Sequence, residues 1–166
     1  NSITCTAPSK TFNIAGLQVA NIFIPNKVIK NRFQDEMKRC GYSQINLAAA
    51  AACQAAYNQG REWIDELMLY LEGNINLVKS FLTTEIPQVH LTDPQGTYLL
   101  WLDFRKFNFT DDELEDIIVK KAKIWLNKGT IFGIEGKGFQ RMNIALPRSV
   151  LEQALRQLAQ AFRTSL

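Results

Sequence analysis

The chain has 166 residues, of which 46% are hydrophobic and 21% are charged, and its formal net charge is +3. This composition is typical of a globular protein that is long enough to bury one or two cores. The sequence contains no apolar run long enough to span a bilayer and no basic block with interleaved aromatic residues. We therefore expect neither a membrane span nor a nucleic-acid partner.

The residue types that usually bind metals are scarce. The three cysteines, Cys5, Cys40 and Cys53, lack the CxxC spacing of zinc sites, and His90 is the only histidine. We expect buried, reduced thiols, no metal site and a cytoplasmic location.

The first half of the chain predicts two strands followed by three helices. The strands cover residues 2–6 and 17–25, and the apolar run of the second suits a strand covered on both faces of an α/β sheet. The helices cover residues 27–39, 46–58 and 61–82, with Gly60 ending the second. Apolar residues at three- and four-residue spacing form a stripe along the third helix.

The second half predicts an α+β pattern. Strands are expected at residues 89–91, 97–104, 124–126 and 139–146. Thr110 and Ser149 each begin a capping-box pattern, which predicts one helix from 110 to about 122 and another that ends the chain. We therefore expect a large-domain remnant at 1–60, a connecting helix at 61–83 and a small α+β domain at 84–166.

Two cationic side chains stand out against apolar surroundings. Lys10 lies in a polar turn after the first strand, where it is either a solvated charge or a desolvated amine suited to a Schiff base. Arg141 interrupts the apolar strand at 139–146, where it either pairs with a structural anion or binds a substrate carboxylate in bidentate fashion. Asp103, at a strand end, fits a structural role better than a catalytic one.

Three segments resemble pyridoxal-phosphate enzymes of the aspartate-aminotransferase fold. They are "APSKTFNIAGLQ" around Lys10, "GTYLLWLDF" at 96–104 and "GKGFQRMNIALPRSVLEQAL" around Arg141. The form Ser-Lys-Thr-Phe-Asn followed by Ala-Gly-Leu is most similar to the cystathionine β-lyase-type branch of C–S lyases, and the order and spacing of the three segments support the family resemblance. The resemblance covers essentially the whole chain and implies that it is the C-terminal portion of a longer α/β protein.

The resemblance also implies roles for individual residues. Lys10 carries the pyridoxal 5'-phosphate through a Schiff base and then takes the substrate's Cα proton, and Arg141 holds the α-carboxylate. The glycine loop at 133–138 lies near the substrate, and residues 42–46 approach the partner subunit's site in a homodimer. The implied substrate is an amino acid such as cystathionine or a cysteine-like compound, which is cleaved to pyruvate, ammonia and a thiol.

The chain also departs from the family pattern. Ala7 stands where many members have a serine that helps to bind phosphate, which leaves phosphate binding to other groups such as Ser9. Gln18 stands where many aminotransferases have an arginine. The family's phosphate loop and its pyridine-binding residues precede the lysine, so we expect this chain alone to hold half a site and to be inactive.

Two alternatives stay open from the sequence. An aminotransferase of class I/II would use the same Lys10 and Arg141. A regulatory or interaction domain on the same fold would need no cofactor.

Overall fold

The computed structural model describes residues 1–42 and 44–165 and divides the chain into two compact units, Asn1–Met68 and Leu69–Leu166. The boundary between the units falls inside the longest helix. The division into segments 1–60, 61–83 and 84–166 remains a prediction. Among the described helices, none combines the length and the apolarity that a bilayer span requires.

The first unit contains a two-stranded antiparallel ribbon and mostly helical structure. Its elements are β1 (Thr4–Thr6), β2 (Asn21–Phe23), α1 (Lys27–Arg39), α2 (Leu47–Gln59) and the first turns of α3 (Arg61–Glu85). Asn26 and Asn46 cap α1 and α2, because each side-chain oxygen accepts hydrogen bonds from two backbone N–H groups of the following turn. Gly60 caps the end of α2, as predicted.

The expected buried strand at 17–25 is wrong in both extent and burial. Residues Ala15–Leu17 form a 3₁₀ turn, and Gln18 ends it in the left-handed conformation, with φ of 54°. Only the three residues of β2 are extended. Both β1 and β2 are largely exposed, because this two-stranded ribbon buries neither of its faces within the described residues.

The second unit contains a four-stranded antiparallel sheet of order β3-β4-β6-β5. Its elements after α3 are β3 (His90–Leu91), β4 (Leu99–Asp103), α4 (Asp111–Glu115), β5 (Asn127–Lys128), β6 (Phe139–Asn143) and α5 (Arg148–Arg163). One face of the sheet is buried, and α5 adds the largest set of apolar side chains. The buried residues of this face and of α5 are Leu100, Leu102, Gln140, Met142, Leu151, Leu155, Leu158, Ala159, Ala161 and Phe162.

The predicted helix at 110–122 is confirmed, but it ends in a π-helical turn, and the next strand begins later than predicted. Thr110 and Glu113 form the expected capping box, and a single π-helical turn, Asp116–Lys121, continues α4. Lys123 then adopts φ of 54°, and the Ile124 backbone N–H donates to the Ile118 carbonyl at 3.2 Å. These residues therefore close the π turn, so the strand predicted at 124–126 is wrong and β5 begins at Asn127.

The capping box predicted at Ser149 is also wrong. α5 begins at Arg148, two residues earlier than a cap at Ser149 would place it, and no side chain caps it. Instead, the Arg148 backbone N–H donates to the Tyr70 hydroxyl at 2.7 Å, which satisfies a donor at the start of the helix.

A buried amide ties α3 to the end of the sheet. Asn74 is fully buried, and its Nδ2 donates to the carbonyls of Ile144 and Leu146 at 2.9 and 3.3 Å. Its Oδ1 accepts from Arg148 Nε at 3.1 Å. The three hydrogen-bond partners of the amide, Ile144, Leu146 and Arg148, follow β6 in the chain. This network therefore fixes the end of the strand that carries Arg141.

The three cysteines are free thiols, but they are not all buried. Cys53 is buried, whereas Cys5 and Cys40 are exposed. The expectation of buried thiols is therefore wrong for two of the three, because Cys5 lies on the uncovered ribbon and Cys40 follows the exposed end of α1.

Candidate active site

Lys10 lies in a turn directly after β1, as the sequence predicts. Two backbone hydrogen bonds close this turn: the Phe12 N–H donates to the Pro8 carbonyl at 2.9 Å, and the Ile14 N–H donates to the Ser9 carbonyl at 3.0 Å. Pro8 is buried and Ser9 is half-buried, whereas the Lys10 side chain is exposed. The backbone therefore fixes the lysine's position while leaving its amine accessible.

The turn is anchored by an aromatic ring. Phe12 stacks on Trp63 with ring centroids 6.0 Å apart and meets Tyr57 edge-on at 6.3 Å. A Cβ atom on Gly60 would lie only 2.3 Å from Phe12 Cε1. The ring therefore occupies the space that a side chain at the junction of α2 and α3 would take.

The exposure of Lys10 bears on the expectation of a desolvated amine. The described residues do not bury this side chain, so they do not by themselves provide the dry environment that favours a Schiff-base lysine. Ser9 is next to it in the chain and within the same turn. The turn therefore contains a primary amine and a hydroxyl on consecutive residues, and both are types of group that can bind pyridoxal 5'-phosphate.

Arg141 lies at the centre of a row of side chains across three strands. It is directly opposite Trp101 of β4 on one side and Asn127 of β5 on the other. Side chains directly opposite each other share a face of the sheet. Gln140 and Met142 are buried on the opposite face, so β6 alternates between a buried face and the face that carries Arg141.

The Arg141 guanidinium has one recorded oxygen partner and one aromatic partner among the described residues. Nη2 donates to Asn127 Oδ1 at 2.9 Å. Cζ lies over the Phe132 ring, 4.5 Å from its centroid. Nε is buried and has no hydrogen-bond partner within the described residues. No carboxylate pairs with Arg141 in the described part of the chain, so the structural ion pair considered from the sequence is not observed there.

An aromatic stack continues from this arginine along the same face. Trp101 meets Phe132 edge-on at 5.6 Å and stacks on Phe139 at 5.5 Å. Arg105 Cζ in turn lies 4.5 Å from the Phe139 ring centroid. Asp103 binds Arg105 through both carboxylate oxygens, at 2.9 and 2.7 Å. Asp103 therefore has the structural role that the sequence favours, and the hydrogen bond from Arg105 lowers the pKa of its carboxyl group.

The glycine loop between β5 and β6 closes on itself. A Cβ atom on Gly129 would lie 2.2 Å from the Gly136 carbonyl oxygen, and one on Gly136 would lie 2.1 Å from the Gly129 carbonyl oxygen. Gly133 adopts φ of 137° between two short 3₁₀ turns. Since only glycine permits such a backbone approach, these residues determine where Phe132 lies.

The class I and II aminotransferase family matches residues 1–158, which is nearly the whole chain. The chain belongs to this family. The segments around Lys10 and Arg141 both lie within the match, and the expected aminotransferase-like α/β fold is confirmed.

Several family members are similar to the chain over nearly its full length. Cystathionine β-lyase PatB of Bacillus subtilis is 42% identical over 96% of this chain and 41% of its own length. Protein MalY of Escherichia coli is 36% identical over 95% of this chain and 41% of its own. The structure of cystalysin from Treponema denticola, which contains a pyridoxal 5'-phosphate cofactor, matches with a TM-score of 0.94 and 35% identity over 99% of this chain and 42% of its own.

The chain thus spans about two fifths of the length of these aminotransferase-family relatives. Within it, Lys10 and Ser9 lie together in the first unit, and Arg141 lies in the second. Ser43, in the segment 42–46 expected near a partner subunit, lies outside the described residues.

The neighbours of both cationic side chains do not follow from the sequence patterns. Asn127 and Phe132 around Arg141, and Phe12 beside Lys10, were not singled out. The aromatic residue between glycines at 129–133 was the available signal for Phe132. The contacts of Phe12 depend on packing between segments distant in sequence, which local patterns do not reveal.

Proposed function

We propose that this chain is the C-terminal part of a pyridoxal-phosphate-dependent C–S β-lyase, which cleaves cystathionine or a cysteine-like amino acid to pyruvate, ammonia and a thiol. The observation that carries the proposal is Arg141, whose guanidinium is held on a sheet face with no carboxylate partner in the described residues. A guanidinium of this kind suits the α-carboxylate of an amino acid, since its planar N–H donors match two carboxylate oxygens.

Lys10 supplies the reactive amine. Its Nζ would hold the cofactor aldehyde, and Ser9 would contribute to holding the phosphate. When bound, the cofactor supplies an electron sink for the pair released at the substrate's Cα. Once the substrate's amino group has displaced it from the aldehyde, the freed Nζ of Lys10 would take the Cα proton, while Arg141 would keep the carboxylate in place. The closed turn at 8–14 supports this role because its backbone hydrogen bonds fix the position of the main chain from which the Lys10 side chain extends.

The lyase reaction is favoured over amino-group transfer by the relatives. PatB is named a cystathionine β-lyase and is 42% identical over almost the whole chain. Gln18, which stands where many aminotransferases have arginine, points the same way. The complete protein is proposed to be a cytoplasmic homodimer, and the three free thiols suit a reducing compartment.

The test is covalent trapping on the complete protein. The protein is incubated with pyridoxal 5'-phosphate and then with borohydride, which converts a lysine–aldehyde adduct into a stable secondary amine. Intact mass and peptide mapping are expected to place one phosphopyridoxyl group on Lys10. Lys10→Ala is expected to lose both the adduct and all measurable turnover, because the amine that holds the aldehyde and moves the proton is gone.

Lys27→Ala is the matched control, because Lys27 is another exposed lysine of the first unit, at the start of α1. It is expected to retain both adduct and activity. An adduct that persists in Lys10→Ala, or that maps to another lysine, would overturn the assignment.

A second assay distinguishes the lyase from the alternative function, an aminotransferase. Pyruvate release from cystathionine without a keto-acid acceptor supports the lyase, and strict dependence on an acceptor identifies an aminotransferase. The 166-residue chain alone is expected to be inactive. If the complete protein forms no adduct, the non-enzymatic regulatory domain becomes the better proposal.

A further inference from the structure

Two side chains that the proposed reaction does not use contact Arg141 directly. We propose that Phe132 and Asn127 are positioning residues, which hold the Arg141 guanidinium so that its remaining Nη N–H donors are free for the substrate carboxylate. This inference rests on the proposed function, because it takes an amino-acid carboxylate as the ligand of Arg141.

Asn127 fixes one end of the guanidinium. Its Oδ1 accepts from Arg141 Nη2 at 2.9 Å, and the two residues are directly opposite each other on β5 and β6. β5 is itself held in place, because Lys128 donates to Glu115 at 2.7 Å and to Asp112 at 3.3 Å. The amide is therefore a fixed acceptor that occupies a single donor of the five on an arginine.

Phe132 holds the guanidinium by a different interaction. The cation lies over its ring at 4.5 Å, and the ring is supported edge-on by Trp101 at 5.6 Å. A ring attracts a cation without providing an oxygen acceptor, so it orients the guanidinium while leaving the donors for a ligand. Phe132 is 51% exposed, so burial in the core does not account for its position.

The buried Nε of Arg141 strengthens the inference. This atom has no hydrogen-bond acceptor among the described residues. The orientation of the guanidinium is therefore not set at Nε by a protein oxygen in this part of the chain. The amide of Asn127 and the ring of Phe132 are the contacts that remain to set it.

The first test measures kinetics in the complete protein. Phe132→Leu removes the ring at similar size, and Asn127→Ala removes the acceptor. Each is expected to raise KM about tenfold, the order of one cation–π contact or one hydrogen bond to a charge, with kcat within about twofold. Phe132→Tyr keeps the ring and is expected to restore KM. Ile131→Ala, an exposed neighbour on the same loop, is the matched control and is expected to leave KM unchanged.

The second test needs no activity. The arginine side-chain N–H resonances of the 166-residue chain are recorded by ¹⁵N NMR, and the Arg141 Nε–H signal is identified by its loss in Arg141→Lys. Phe132→Leu and Asn127→Ala are expected to shift this signal, because each removes a group that surrounds the guanidinium. Phe132→Tyr and Ile131→Ala are expected to leave it in place.

The two tests separate failure of this inference from failure of the proposed function. Unchanged KM and an unchanged Arg141 signal in both variants would refute the positioning role. If Lys10 forms no adduct in the complete protein, the proposed function fails, but the NMR signal still decides whether the ring and the amide hold the arginine. A variant that lowers kcat and leaves KM unchanged would also contradict the inference.

Discussion

At the scale of single residues, the charged groups of the second unit divide into paired and available ones. Asp103 is bound through both oxygens by Arg105, and Lys128 is bound by two carboxylates of α4. Arg141 differs, because its recorded partners are an amide and a ring. The paired charges lie around Arg141, whose guanidinium has no carboxylate partner within the described residues, as the proposed binding of a substrate carboxylate requires.

The pair of Asp103 and Arg105 predicts a dependence of stability on pH. The hydrogen bond from Arg105 lowers the pKa of Asp103 in the folded state. A carboxyl group of this kind stabilises the fold fully above its unfolded pKa of about 3.9 and loses that effect as the pH falls through the lower, folded pKa. Asp103→Asn is therefore expected to lower Tm at pH 7, with the difference from wild type shrinking below about pH 4.

Thermal unfolding from pH 7 to pH 2 measures this difference. Asp93→Asn, which alters an exposed acidic residue of the same unit, serves as the control and should follow the wild-type curve. A difference between Asp103→Asn and wild type that is the same at all pH values would mean that the ion pair does not contribute.

At the scale of elements, the junction of α2 and α3 positions the lysine turn. Gly60 ends α2, and the Phe12 ring fills the space beside it. The turn that carries Lys10 is thereby joined to two helices through one ring rather than through its backbone alone. The junction thus contributes to the site although it lies far from Lys10 in sequence.

Gly60→Ala is expected to destabilise the chain by about 1–3 kcal/mol, because the new Cβ would lie 2.3 Å from Phe12 and 2.5 Å from the Ala56 carbonyl oxygen. Urea unfolding monitored by tryptophan fluorescence, to which Trp63 beside Phe12 contributes, measures the loss. Gly16→Ala is the control, since a Cβ atom there would meet nothing within 4 Å. Equal midpoints for the two variants would show that the ring moves aside without cost.

The elements that sequence predicts best are those with local signals. The capping box at Thr110 and the alternation along β6 are local, and both are present in the structure. The strand predicted at 124–126 is wrong because a π turn ends at Lys121 and the left-handed Lys123 follows it, so the extended residues begin only at Asn127. Phe132 and Asn127 were missed because their contacts with Arg141 depend on strand register and loop closure, which need the folded chain.

At the scale of the whole molecule, apolar burial is unevenly distributed between the units. The buried apolar cluster of the first unit consists of Val19, Ala49 and Cys53, whereas the second unit holds most of the buried residues, including six in α5. α1 has no buried residue at all. Because burial is the main source of stability, the first unit is expected to be the weaker of the two.

Hydrogen exchange of the 166-residue chain tests this expectation. Backbone amides of α5 are expected to exchange at least about a hundredfold more slowly than those of α1, after correction for intrinsic rates, which corresponds to nearly 3 kcal/mol in opening free energy. Mass spectrometry of peptides from the two helices gives the comparison. Equal protection in α1 and α5 would show that the units unfold together.

The contact between Gly129 and Gly136 closes the loop at its base, so the sequence of the segment between them can be changed independently of the flanking strands. The two glycine backbones already touch, so the ends of residues 130–135 are fixed close together before any side chain in between is chosen. Segments of equal length that keep Phe132 and Gly133 are therefore expected to be grafted there without displacing β5 or β6. Natural or engineered diversity can thus be concentrated beside Arg141, and the sheet that carries the arginine stays unaltered.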